Sequence, residues 1–316
     1  MLLVLSTFAL FSSIFTVAKP TLAAGGLFFL LGSRMVVAAV ILLGWLAVRR
    51  PAKVRLSRQL VWMVLLSGTL NFFLTNVFEF LGLSQLPSWK TCFIYNFSPF
   101  LSALLGYLVM GERLNLRKWA GLVIGCLGIS LIFVTDALQS GEGIWRLGWP
   151  ELSVLAAVTC SCLGWTLLRR LRLQQDVDPV AANAYGMLLA GLGCVLVSAF
   201  SEPWQPIPIW QATPAVLGSG YMLLVSNLLA YTLYASLLRR FSATFLALAG
   251  GSTSLFAALW GGLFLGESID WIMAPAAVIG AAGLALFYRE EIQDELRRRR
   301  LQPVTETPSS TAAATT

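Results

Sequence analysis

The stretch "NFSPFLSALLGYLVMGER", Asn96 to Arg113, returns in altered form as "GSTSLFAALWGGLFLGES", Gly251 to Ser268. The two align without gaps at an offset of 155, which sets Gly111-Glu112 on Gly266-Glu267. The same offset carries Gly125 and Gly128 onto Gly280 and Gly283. Asn76 meets Asn227 at an offset of 151, and Thr16 and Lys19 meet Thr166 and Arg169 at 150. The chain therefore reads as one unit duplicated.

Both copies are apolar. Of the 316 residues, 57% are hydrophobic and 12% are charged, whereas a soluble domain averages about 45–50% apolar and about 25% charged. That composition predicts an all-α polytopic membrane protein seated in a lipid bilayer. A hydrocarbon core needs about 20 residues of helix. On that ruler ten spans are expected, near 2–18, 26–48, 60–83, 88–110, 116–135, 149–168, 180–200, 214–238, 243–265 and 271–288. The opening "MLLVLSTFALFSSIFTVAKP" carries no positive leader region and is expected to be the first span.

Five spans per unit is an odd number, so the second unit must lie inverted. The expected fold is ten transmembrane helices in two inverted five-helix repeats, residues 1–135 and 149–289, followed by a charged, disordered tail over 290–316. The positive residues agree. With the N-terminus inside, 18 of the 22 Lys and Arg fall on the inner side, in the loops around Arg50, Arg117, Arg170 and Arg240 and in the tail. Both termini are thus expected in the cytoplasm of a bacterial inner membrane. Inverted repeats with a site between them are the architecture of secondary transporters.

Other classes fail on inventory. The net charge of +7 sits in short loops and the tail, so nucleic acid is not an expected partner. The chain has no histidine, no metal-ligand cluster and no phosphate-cradling G-x-x-x-x-G-K-[ST]. No enzyme, cofactor or metal is expected, and transport is expected to run without ATP bound to this chain. The five cysteines, Cys92, Cys126, Cys160, Cys162 and Cys194, all fall in apolar segments and are expected to be buried small hydrophobes.

These residues resemble the EamA branch of the drug/metabolite transporter superfamily. The likeness rests on Lys19, Arg34, "SPFLSALLGYLVMGERL" with "RKWAGLVIGCLGISLIF", "GWTLLRRL", and "SLFAALWGGLFLGESI" with "AAVIGAAGLALF". It implies a carrier with a central cavity lined mainly by helices 1, 3, 4, 6, 8 and 9. In the family, helices 5 and 10 pack at the far end and can mediate a homodimer. "CFIYNFSPFLSALLGY" looks like the branch holding S-adenosylmethionine carriers of obligate intracellular bacteria.

Candidate substrate-binding residues follow from polar groups placed inside spans, which usually face an interior and carry function. Ser67, Asn71, Thr75 and Glu79 are spaced by four and form one drifting stripe on a helix, with Asn76 beside it. Glu79 has two readings: a cavity carboxylate for a cationic or amino group, or an ion-pair partner of Lys90. Tyr95 and Asn96 stand out on helix 4, beside Pro99, which frees a carbonyl. Ser12 and Thr16 on helix 1, Trp165 on helix 6, Asn227 and Tyr231 on helix 8 and Ser252 on helix 9 complete the set. Glu112 and Glu267 are expected to be gating or loop-anchoring residues. A carboxylate with aromatics suits a small-molecule substrate bearing a positive group and a flat part. S-adenosylmethionine, exchanged for S-adenosylhomocysteine, is the expected substrate. The alternative is a zwitterionic amino acid or related metabolite, exported and coupled to protons.

Overall fold

The structure is a computed structural model that describes residues 2–51, 58–111, 114–139, 148–174, 178–230, 249–268 and 273–289, with 233, 237 and 293. It is nearly all helix. In chain order the elements are α1 (Leu2–Ala23), α2 (Leu27–Arg49) and α3, which runs Arg58–Gly68, a π-helical Thr69–Leu74 and Thr75–Leu83. Next come α4 (Ser88–Tyr95 and Ser98–Met110), α5 (Leu116–Gln139), α6 (Trp149–Gln174) and α7 (Pro179–Ser201). Then follow α8 (Ala212–Met222, π-helical over Leu223–Ala230), α9 (Ser252–Trp260, π-helical over Gly261–Leu265) and α10 (Met273–Phe287). Among the described residues, seven helices are long and apolar enough to cross a membrane, and the stretches Ser252–Leu265 and Ala274–Phe287 are shorter apolar helices. The protein is a multi-pass membrane protein.

Glycine decides which helices meet backbone to backbone. A β-carbon added at Gly32 of α2 would lie 2.8 Å from the carbonyl oxygen of Gly191 on α7. One added at Gly283 of α10 would lie 2.6 Å from the backbone nitrogen of Gly125 on α5. These close approaches are the membrane use of small residues, since apolar side chains gain little by leaving lipid for one another. Gly125, Gly128, Gly280 and Gly283 thus form the α5–α10 seam.

The largest buried cluster joins Leu31 and Met35 of α2, Phe72 and Phe80 of α3, Met187 and Cys194 of α7 and Met222 of α8. A second sets Trp89, Cys92 and Phe93 of α4 against Ala257 and Ala258 of α9 and Ala276 of α10. Cys92, Cys162 and Cys194 are buried, but Cys126 and Cys160 are only half-buried, which corrects the expectation of five buried thiols.

The expected span over 88–110 is one apolar stretch, Ser88–Leu108, with a turn inside it. Asn96 and Phe97 form a turn between the two segments of α4. Pro99 has no N–H, so the carbonyl of Tyr95 loses its helical donor there. Gly251, the residue that the repeat sets opposite Asn96, is a turn just before α9. The breaks are joined, for Asn96 Nδ2 donates to Ser254 Oγ at 3.1 Å.

Candidate functional site

The break in α4 positions Tyr95 toward α3. Its hydroxyl donates to Glu79 Oε2 at 2.6 Å, a short bond to a carboxylate of the strong, charge-assisted kind. The Phe15 ring of α1 stands edge-on to the Tyr95 ring, with centroids 5.9 Å apart. Glu79, Tyr95, Asn96 and Phe15 are half-buried. Lys90, Thr91, Cys92, Phe93 and Ile94, one and two turns above on α4, are buried. A carboxylate, a phenol and a phenyl ring therefore stay accessible inside a bundle whose surroundings are closed.

Lys90 does not pair with Glu79. Its Nζ lies 2.7 Å from Glu151 Oε1 at the start of α6, so the Glu79–Lys90 ion pair is overturned. The reason is direction. Lys90 lies more than one turn before Tyr95 on α4 and reaches the end of the bundle, where α6 begins. At the same end Lys19 Nζ of α1 lies 2.6 Å from Glu267 Oε1. Glu267 Oε2 also accepts from the backbone N–H of Ser88 at 2.9 Å, and Ser88 Oγ donates to Oε1 at 3.1 Å. Glu267 thereby caps the N-terminus of α4, where a carboxylate is favoured by the helix dipole, and ties α1 and α4 to the end of α9. That is the anchoring role expected of it.

The polar stripe of α3 does not face one way. Asn71 is buried against Gly164 of α6, where a β-carbon would lie 2.7 Å from Asn71 Cβ, and its Oδ1 accepts from Ser161 Oγ at 3.3 Å. Thr75 is buried too, its hydroxyl reaching the carbonyls of Leu70 at 2.8 Å and Ala157 at 3.3 Å. The π-helical turn explains the split. It widens the helix to i→i+5 bonding, so a stripe of constant spacing turns away from its starting face. Asn71 and Thr75 hold α3 to α6, and Glu79 alone of the stripe meets the accessible space.

Asn76 Oδ1 accepts from Arg34 Nη2 at 3.4 Å, while its Nδ2 donates to Phe72 O at 2.9 Å. The Arg34 guanidinium also lies 5.4 Å from the Phe80 ring centroid. On α8, Asn227 Nδ2 donates to Met187 Sδ at 3.7 Å. Asn227 Oδ1 and the buried Thr16 Oγ1 have no partner among the described residues. Ser12 and Ser252 turn back on their own helices, donating to Ala9 O at 2.8 Å and Ala249 O at 2.6 Å. Trp165 is 41% exposed. Tyr231, Glu112 and most of the tail over 290–316 lie outside the described residues.

Sequence reasoning missed Phe15, Ser254 and Glu151. Phe15 is one apolar residue in an apolar helix and carries no signal. Ser254 lies two residues from the chosen Ser252, and a helix turns about 200° over that distance. Glu151 carried a signal, since it opens α6 as an acidic residue in an otherwise apolar span.

The EamA-like transporter family model matches residues 1–134 and 148–289. An S-adenosylmethionine/S-adenosylhomocysteine transporter of Chlamydia muridarum (strain MoPn / Nigg) is 39% identical over 287 residues, 90% of this chain and 90% of its own. The transporter of that description from Chlamydia trachomatis serovar L2 is 38% identical over 286 residues, 90% of this chain and 87% of its own. A solved crystal structure of a protein 17% identical superposes with a TM-score of 0.65 over 95% of this chain and 98% of that one, which bears on the fold alone.

Proposed function

This chain belongs to the EamA-like transporter family, and we propose that it carries S-adenosylmethionine across a bacterial inner membrane by alternating access, in exchange for S-adenosylhomocysteine. The observation that carries the substrate is Glu79. It is a carboxylate inside the bundle, bound by Tyr95 rather than by a cation, with the Phe15 ring behind the phenol. A sulfonium or α-ammonium group beside that carboxylate supplies a directly paired positive charge, and the aromatic rings offer a face to a cation or to adenine. The likeness to the two chlamydial transporters supports the same substrate.

Alternating access is supported by the paired features of the two halves. The break of α4 and the turn before α9 lie at positions related by the offset of 155. The π-helical stretches of α3 and α8 overlap at the offset of 151. Ten helices in two inverted halves, with both termini cytoplasmic, account for these pairs and for the distribution of positive residues. On that topology the Lys19–Glu267 and Lys90–Glu151 pairs seal the outer end, each joining one half to the other.

The test is transport in proteoliposomes without ATP. Labelled S-adenosylmethionine uptake is expected to saturate and to be accelerated by unlabelled S-adenosylhomocysteine inside. Flux that never saturates and shows no trans-acceleration would refute the carrier. Acceleration by amino acids but by neither nucleoside would assign the site to the alternative substrate.

A further inference from the structure

We propose that Glu79 carries a proton in the same direction as S-adenosylhomocysteine, so that the exchange moves no net charge. The inference rests on the substrate reading above. It begins from what surrounds the carboxylate. Tyr95 of α4 donates to Glu79, and the other titratable or charged groups near enough to act on the pair are Cys92 of α4, Arg34 of α2 and Cys162 of α6. The residue contributed by α1 is the apolar Phe15.

The cations nearby are engaged by other groups. Lys90 is held by Glu151 and Lys19 by Glu267. Arg34 donates to Asn76 and lies over the Phe80 ring, and its charge reaches Glu79 without an ion pair between them among the described residues. Among the described residues Glu79 forms no ion pair, and its side-chain bond is the one from Tyr95.

A carrier must pass through an occluded state on both halves of its cycle. An ionised carboxylate enclosed without a cation is strongly disfavoured and takes up a proton instead. S-adenosylmethionine supplies the cation itself, because its sulfonium bears one positive charge beyond the zwitterion of its amino acid part. S-adenosylhomocysteine has lost that methyl group and with it the sulfonium charge. Its thioether leaves the carboxylate with no cation paired to it. Glu79 then takes a proton from water on the side where the product loads. It returns the proton to water on the other side, when the next sulfonium displaces it. One cation enters and one proton leaves with each product molecule, so the membrane potential cancels. Exchange of S-adenosylmethionine for itself moves no proton.

The experiment uses the full chain in proteoliposomes with an entrapped pH-sensitive dye and a potassium–valinomycin potential. Expected are one proton per S-adenosylhomocysteine, moving the same way, no proton flux in self-exchange of S-adenosylmethionine, and an exchange rate indifferent to the imposed potential. Acidifying the side of entry is expected to weaken S-adenosylmethionine binding and to strengthen that of S-adenosylhomocysteine. In Glu79→Gln the proton flux is expected to vanish, with S-adenosylmethionine affinity down at least tenfold. Exchange of both nucleosides that is driven by the potential and carries no proton overturns the proton proposal while the substrate reading stands. Failure of the two nucleosides to exchange at all overturns both. Proton flux that persists in a folded Glu79→Gln protein overturns the assignment to this residue.

Discussion

Replacing Glu267 by Gln removes one charge and little else. The amide keeps the size of the carboxylate and still accepts from the Ser88 N–H, now 2.9 Å away. What it loses is the ionic part of the Lys19 contact at 2.6 Å. A hydrogen bond between charged partners is worth about 1.5–3 kcal/mol. Lys19 is 24% exposed and Glu267 10%, so water screens part of that. Roughly 1–2 kcal/mol is expected, a five- to thirty-fold change in an equilibrium. On the proposed topology the Lys19–Glu267 pair belongs to the arrangement closed at the outer end. Weakening it shifts the population toward the outward-open form, and the apparent affinity for external substrate rises with that population. The assay is the half-saturation for external S-adenosylmethionine in proteoliposomes of one orientation. It is expected to fall five- to thirty-fold in Glu267→Gln and to a similar extent in Lys19→Met. The double variant should go little further, since the two residues act through one contact. An unchanged external half-saturation in a variant of normal thermal stability would refute the reasoning, and so would additive effects of the two single changes.

Three further outcomes are expected. Gly283→Val sets a β-carbon where the backbone nitrogen of Gly125 stands 2.6 Å away; overpacking of this kind costs about 1–3 kcal/mol, and the melting temperature in detergent is expected to fall. Asn96→Ala and Ser254→Ala remove a bond of 3.1 Å between the two helix breaks; a double-mutant cycle on substrate affinity should give a coupling of about 0.5–1.5 kcal/mol, and a coupling of zero would mean the breaks act independently. A reporter fused after Arg300 should be cytoplasmic and one inserted at Gln205 external. A periplasmic signal from the first fusion would sink the ten-span topology.

The membrane class and the position of most helices were legible in the amino-acid sequence. Each depends on composition or on residue spacing within one helix, and bilayer thickness and helix pitch convert those directly into structure. Glu79, Tyr95 and Asn96 were legible as unusual polar residues for their surroundings. Their partners were not. Lys90 is closer to Glu79 in the chain than Tyr95, yet the carboxylate takes the phenol and the ammonium takes Glu151. Pairing across helices depends on where each helix ends and how it is rotated, and no spacing rule within a helix carries that information. The stripe on α3 shows the same limit. Its residues share one four-residue spacing, and a π-helical turn divides them between the α6 interface and the interior. Sequence spacing determined which residues are polar and roughly where they lie along the helix; only the packed bundle, through that turn and the break at Asn96, decided which of them stay accessible in its interior.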